Sequence, residues 1–190
     1  MERVRAVFLD RDGVINRVVL RDGRPHPPAC AEDLEVLPGV AQALEALKRA
    51  GFRLIVVTNQ PDVATGRQRR ETVEAVHARL RRTMPLDDIR VCYHVDEDGC
   101  GCRKPKPGLL LEAARAWRVD LAQSVMVGDR WRDIEAGKAA GCRTILLRNA
   151  YDERQPEAPD AVAESLLQAS EVILTRWGRC ATNTGEHDAH

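Results

Sequence analysis

Val4-Arg5-Ala6-Val7-Phe8-Leu9-Asp10-Arg11-Asp12-Gly13-Val14 lies near the start of the chain: a mostly apolar run that breaks off at two carboxylates two positions apart, followed by glycine. A short apolar run of this kind suits a strand covered on both faces. Gly13 permits a sharp turn, so Asp10 and Asp12 can face one pocket despite the alternation of a strand. Taken alone, the same residues also make an ordinary polar turn at a strand end.

Three further runs follow the same pattern. Arg53 to Val57 ends in Thr58-Asn59, Ser124 to Val127 in Gly128-Asp129, and Thr144 to Leu147 completes the set. Helical periodicity fills the intervals, at Val40 to Ala50 (stopped by Gly51), Arg69 to Arg82, Leu109 to Trp117 and Ile134 to Ala140. Short strands alternating with helices predict an α/β sandwich around a mainly parallel sheet. Such sheets bind ligands at the carboxyl ends of their strands, where Asp10, Thr58 and Asp129 all fall.

The bulk properties set bounds on this reading. With 190 residues the chain suits one domain, expected over residues 1–177, with a flexible tail at 178–190. Its 29 basic and 29 acidic residues give no net charge, which argues against nucleic acid as partner. No apolar run reaches membrane-spanning length and no signal-peptide pattern precedes the first strand, so the expectation is a cytoplasmic protein without a membrane partner. No surplus apolar helix face is evident, which suggests a monomer. Six cysteines in that compartment point to thiols or metal ligands before disulfides.

Further chemistry lies between the strands. Thr58 and Asn59 offer a hydroxyl and an amide to phosphate oxygens. Lys104, within Arg103-Lys104-Pro105-Lys106-Pro107-Gly108, precedes a helix whose N-terminus favours an anion; a solvated basic turn is the other reading. Asp129 and Asp133 place carboxylates at a strand end and on the next helix, where an acid offsetting the helix dipole is also common. The ordered set of Asp10-x-Asp12-Gly13, Thr58, Lys104 and Gly128-Asp129-x-x-x-Asp133 resembles the four motifs of the haloacid dehalogenase superfamily of phosphohydrolases, over residues 4 to about 148.

The resemblance implies a Rossmann-like three-layer sandwich, Mg²⁺ and a phosphoaspartyl intermediate. In it Asp10 would be the nucleophile and Asp12 the acid and base. Asp10, Asp129 and the backbone carbonyl of Asp12 would hold Mg²⁺, a hard cation that prefers oxygen ligands. Thr58 and Lys104 would hold the phosphoryl oxygens, and Asp133 would support Lys104 or a metal-bound water.

A second ligand set is separate. Cys92, His94, Cys100 and Cys102 supply three thiols and an imidazole, the donors of a closed tetrahedral zinc site. Free thiols, or a strained Cys100–Cys102 bridge, are the other readings. With four protein ligands such a Zn²⁺ would be structural, clamping the loop that runs into Arg103 and Lys104.

Together with Arg103-Lys104-Pro105-x-Pro107-Gly108, this loop resembles the D-glycero-D-manno-heptose 1,7-bisphosphate phosphatase branch, whose sister is histidinol-phosphate phosphatase. The loop is shorter than in that branch, and Pro61-Asp62 stands where Ser-Gly is usual. Asp12 to Leu34 leaves too few residues for a cap domain, so the fold is expected to be capless. Specificity would then come from loops bearing Arg17, Arg21, Arg24, Arg67 and Arg103, with Arg103 the strongest candidate to grip a second phosphate of a small sugar substrate. Histidinol phosphate or another small phosphomonoester is the alternative within that chemistry. A phosphotransferase and a non-catalytic zinc-stabilised module are the alternatives outside it.

Overall fold

In the computed structural model, which describes residues 4–21 and 23–178, the chain runs β1 (Ala6–Leu9), β2 (Val19–Arg21), β3 (Arg24–His26), α1 (Val40–Arg49), β4 (Arg53–Asn59), α2 (Arg70–Thr83) and β5 (Asp88–Cys92). It continues through α3 (Gly108–Trp117), β6 (Val125–Gly128), α4 (Trp131–Ala140), β7 (Arg143–Leu147), β8 (Ala161–Ala163) and α5 (Leu166–Trp177). Six strands pair in parallel in the order β5-β4-β1-β6-β7-β8. The tail expected from 178 lies outside the described residues beyond Gly178. So do Cys180 and the side chains of Arg21 and Arg24.

Strand alternation divides the core into two layers. Val7 and Leu9 of β1, with Leu54 and Val56 of β4, face α1, α2 and α5, where Leu44, Leu47, Leu80 and Ile173 are buried. Ala6 and Phe8, with Ile55, Val57 and Met126, face α3 and α4 across Leu110, Ala113 and Ala136. Both faces of the sheet are therefore apolar, which is why the central strands read as unbroken hydrophobic runs. Each fully buried large aliphatic side chain contributes about 1.5–3 kcal/mol relative to exposure. Gly51 and Gly141 end α1 and α4 in the left-handed region, at φ 84° and 83°.

Two regions differ from the sequence reading. Residues 17–30, expected as a loop, contain the antiparallel β2–β3 hairpin, with Leu20 opposite Pro25. Proline fits there because a two-stranded ribbon is all edge and needs no further donor. The Asp22-Gly23 pair is a hairpin signal that the surrounding prolines obscured. Among the described residues this hairpin is the whole regular insert between β1 and α1, and none of them forms a cap domain over the sheet. The second region, 148–177, adds β8 and α5. Ser165 caps α5 by accepting from the Gln168 amide at 3.2 Å, and Leu166, Ala169 and Ile173 form its buried stripe.

Candidate functional site

β1 is flanked by β4 and β6, and its register aligns their ends: Leu9 pairs with Val56 on one side and Val127 on the other. Asp10 follows directly, its amide donating to the Val127 carbonyl at 3.0 Å. Thr58 and Asp129 emerge beside it and all three are buried. Lys104 reaches the same point from the loop before α3. Its ammonium donates to Asp10 Oδ1 at 2.8 Å and the Val57 carbonyl at 2.8 Å, and lies 2.6 Å from Asp133 Oδ1. Three protons thus meet three acceptors. The side chain is only 2% exposed, which rules out the solvated basic turn. Burial acts to lower the Lys104 pKa, but the Asp10 and Asp133 carboxylates outweigh it and raise it.

Asp10, Asp129 and Asp133 bring carboxylate oxygens within 4.8 Å of one another. Asp133 is fully engaged: Oδ1 meets Lys104, and Oδ2 accepts from the Arg130 amide at 3.0 Å, capping α4. Asp129 is not. Tyr151 donates to its Oδ2 at 2.7 Å, while its buried Oδ1 has no partner among the described residues. Lys104 pairs with Asp10 and Asp133, and the Arg130 charge acts more weakly on Asp129. Burial first, and then the neighbouring Asp133, lift Asp10 to about 6 despite Lys104. Burial followed by Asp10 and Asp133 pushes Asp129 well up. An orphaned carboxylate oxygen beside surplus negative charge suits a hard divalent cation held by Asp10 and Asp129. Gly13 makes their approach possible, because at φ 84° a Cβ there would lie 1.9 Å from Asp129 Oδ2.

Asp12 points into a separate network. Its carboxylate accepts from Arg11 at 2.7 and 2.9 Å, Asn16 Nδ2 at 2.9 Å and Gln60 Nε2 at 2.8 Å. Burial would raise its pKa, but Arg11, Asn16 and Gln60 together hold it below the usual range. Arg11 is itself buried and meets His77 Nε2 at 2.9 Å. Burial and the Arg11 charge pull His77 down to about 3, so the ring is neutral. Gln60 also donates to Thr58 Oγ1 at 2.9 Å, linking the Asp12 network to the strand end.

The second ligand set is also assembled. β5 pairs with β4 so that Cys92 sits opposite Asn59, and the Gln60 amide donates to the Cys92 carbonyl at 2.7 Å. Cys92 Sγ lies 3.6 Å from His94 Nδ1, 3.7 Å from Cys100 Sγ and 3.2 Å from Cys102 Sγ. Cys102 Sγ is 3.3 Å from His94 Nδ1 and 3.4 Å from Cys100 Sγ. A tetrahedron with metal–sulfur bonds of about 2.3 Å has edges of roughly 3.7 Å, so the set fits a zinc-sized ion. Burial acts upward on Cys100, but bonds from Cys102 and the backbone outweigh it and bring the thiol to about 7. Gly108 lets this loop pack on α3, since a Cβ there would stand 2.3 Å from the Gly101 carbonyl.

Above Asp10 and Asp12 opens a cavity of about 300 Å³, lined among others by Asn59, Arg67, Arg103, Lys104, Arg130 and Arg132. Asn59 lines this cavity and also braces the lysine. Its Oδ1 accepts from the Lys104 amide and its Nδ2 donates to the Lys104 carbonyl, both at 3.1 Å, which positions the lysine and leaves the second Nδ2 proton for an anion. Arg103 is braced to Asp96 at 2.8 Å and to the His94 carbonyl at 3.1 Å. Arg17 pairs with Glu35 at 2.8 Å and is absent from this cavity lining. The sequence reading missed Tyr151, Gln60 and Arg132. Gln60 follows Thr58-Asn59 and was within reach of that motif; the other two carry no signal beyond residue type.

The sequence profile of haloacid dehalogenase-like hydrolases matches residues 17–141. The D-glycero-beta-D-manno-heptose-1,7-bisphosphate 7-phosphatase of Bordetella bronchiseptica is 35% identical over 181 residues, covering 90% of this chain and 98% of its own. The enzyme of that name from Escherichia coli K12 is 36% identical, covering 90% and 94%. A crystal structure of the B. bronchiseptica D,D-heptose 1,7-bisphosphate phosphatase complexed with magnesium and phosphate superposes with a TM-score of 0.78 at 33% identity, over 90% of this chain and 98% of that one. The chain therefore belongs to the haloacid dehalogenase-like hydrolase family.

Proposed function

We propose that this protein hydrolyses a phosphomonoester by attack of Asp10, with Mg²⁺ as catalytic cofactor, and that it removes the 7-phosphate of D-glycero-D-manno-heptose 1,7-bisphosphate. The observation that carries the chemistry is the half-satisfied pair at the cavity floor. Asp10 is held at one oxygen by Lys104, and Asp129 presents an unpartnered oxygen beside it. The names of the relatives and the arginine-lined mouth support the substrate. The same reading takes residues 1–177 as one catalytic domain acting as a cytoplasmic monomer. No helix among the described residues is long and apolar enough to cross a membrane.

In the first half-reaction an Asp10 oxygen bonds to phosphorus while the bond from phosphorus to the sugar oxygen breaks. Asp12 gives that oxygen its proton. At rest Asp12 is a carboxylate gripped by Arg11, so proton delivery requires it to take up a proton from solvent as substrate binds and to turn from Arg11 toward the leaving oxygen. An entering phosphate dianion favours this by raising the proton affinity of a carboxyl group close to it. In the second half Asp12, now ionised, takes a proton from water as the water oxygen attacks phosphorus. The phosphorus–Asp10 bond breaks, releasing orthophosphate and the Asp10 carboxylate. Thr58 donates to a phosphoryl oxygen where charge collects, and Lys104 joins it by exchanging its bond to Asp10, whose carboxylate loses charge as it attacks, for one to the phosphoryl group. Mg²⁺, held by Asp10, Asp129 and the Asp12 carbonyl, would supply charge neutralisation and orientation of the phosphate. Zn²⁺ in the Cys/His set would fix the loop that delivers Lys104.

A phosphate-release screen with Mg²⁺ over sugar mono- and bisphosphates and histidinol phosphate tests the assignment. We expect kcat/KM for the heptose bisphosphate to exceed that of the others by at least about tenfold, since a second phosphate offers further charge-assisted contacts. Equal or reversed preference contradicts it. Asp10→Asn should abolish turnover with an unchanged circular dichroism spectrum, and near-normal activity in that variant would sink the mechanism. Gly13→Ala should displace Asp129 and lower kcat roughly a hundredfold, the usual cost of misplacing a catalytic group by an ångström. Elemental analysis should find about one zinc per chain, lost together with thermal stability in Cys102→Ser; folded protein free of zinc would count against the site.

A further inference from the structure

Asp96 belongs to neither candidate metal site, yet it connects them. It begins the short 3₁₀ turn Asp96–Asp98 between His94 and Cys100. Its carboxylate accepts from Arg103 Nε at 2.8 Å and from both terminal nitrogens of Arg132 at 3.0 Å. The two arginines come from different elements, the loop before α3 and the first turn of α4. Each has a second anchor: Arg103 donates to the His94 carbonyl at 3.1 Å and Arg132 to the Lys104 carbonyl at 3.3 Å. Both line the cavity that holds Asp10 and Lys104. Arg103 and Arg132 are 14% and 23% exposed, whereas Asp96 is 55% exposed.

Two guanidiniums sharing one carboxylate keep a net positive charge and carry more donors than that carboxylate uses. Their side chains are among the most costly to order, and here each is held by acceptors of the protein itself. Asp96 also has an opposing effect, since its negative charge weakens attraction for an anion. Because that carboxylate is more than half exposed, water and salt screen its charge, while the geometry it imposes is not screened. Ordering should therefore outweigh the opposing charge.

We propose that Asp96 is a positioning residue that sets Arg103 and Arg132 as a paired clamp for the second anionic group of the substrate, remote from the phosphate attacked by Asp10. This rests on the phosphatase reading above and adds Arg132 and Asp96 to the determinants of specificity. It also gives the Cys/His loop a second task, because that loop supports the carboxylate on which the clamp is hung.

The test compares wild type and Asp96→Ala, both zinc-loaded and full length, on a sugar bisphosphate and on the monophosphate that retains only the attacked group. KM for the bisphosphate should rise about tenfold with kcat within about twofold, while KM for the monophosphate moves less than about twofold. Arg132→Gln should raise the same KM at unchanged zinc content. A lower or unchanged bisphosphate KM in Asp96→Ala would mean that Asp96 is merely a competing charge, and would overturn the proposal. Equal loss on both substrates together with loss of zinc would make Asp96 a loop-folding residue, and an Arg132→Gln variant with unmoved KM would take Arg132 out of the clamp; either result overturns the proposal. If wild type releases phosphate from neither substrate, the functional reading fails instead. Calorimetric binding of the bisphosphate then decides: about tenfold weaker binding by Asp96→Ala supports the clamp, and equal binding refutes it.

Discussion

A buried ammonium must be paired, and the pairing of Lys104 with Asp10 and Asp133 is the constraint around which the rest of the site is arranged. Removing one partner of such a group costs about 3–5 kcal/mol, because a charge is left uncompensated in the interior. The lysine must therefore arrive accurately, and its backbone is held from several directions. Asn59 at the end of β4 takes both its amide and its carbonyl, and Arg132 also donates to that carbonyl. The Cys/His loop immediately precedes it and packs on the start of α3 through Gly108. Sheet register links these supports, since β4 and β5 pair Asn59 with Cys92.

The same pairing divides the carboxylates by role. Asp133 is spent on Lys104 and the cap of α4. Asp10 is held at one oxygen, and Asp129 is steadied by Tyr151 with the other oxygen unpartnered. What remains is a concentration of negative charge that a divalent cation would relieve, next to the carboxylate proposed to attack. Asp12 is kept apart by Arg11, whose own charge is buried against a neutral His77. Asp10 and Asp12, the proposed nucleophile and proton-transfer partner, thus sit in distinct electrostatic surroundings although only two residues apart in sequence. Different surroundings are how two similar acids take different tasks.

Much of this was legible because strand ends in a parallel sheet converge. Asp10, Thr58 and Asp129 could be placed at one edge from the length of the apolar runs alone, and the spacing of Cys92, His94, Cys100 and Cys102 carried its own chemistry. The burial of Lys104 was not legible, because a lysine among prolines and glycine reads equally as a solvated turn; only its meeting with Asp10, 94 residues away, decides the matter. Asn59, expected at a phosphate oxygen, also holds the Lys104 backbone, a task that depends on side-chain orientation. Tyr151 comes from the connection after β7, where no pattern marks it. The β2–β3 hairpin was hidden by prolines that an edge ribbon tolerates, and β8 by having only three residues.

The proposed chemistry requires Asp10 to carry the phosphoryl group. The most direct measurement is rapid acid quench of a single turnover, followed by peptide mass spectrometry across residues 4–17. It should find phosphate on Asp10, formed before orthophosphate appears and removed by hydroxylamine, as expected for an acyl phosphate. Orthophosphate released with no covalent species, or phosphate attached to any residue other than Asp10, would contradict it.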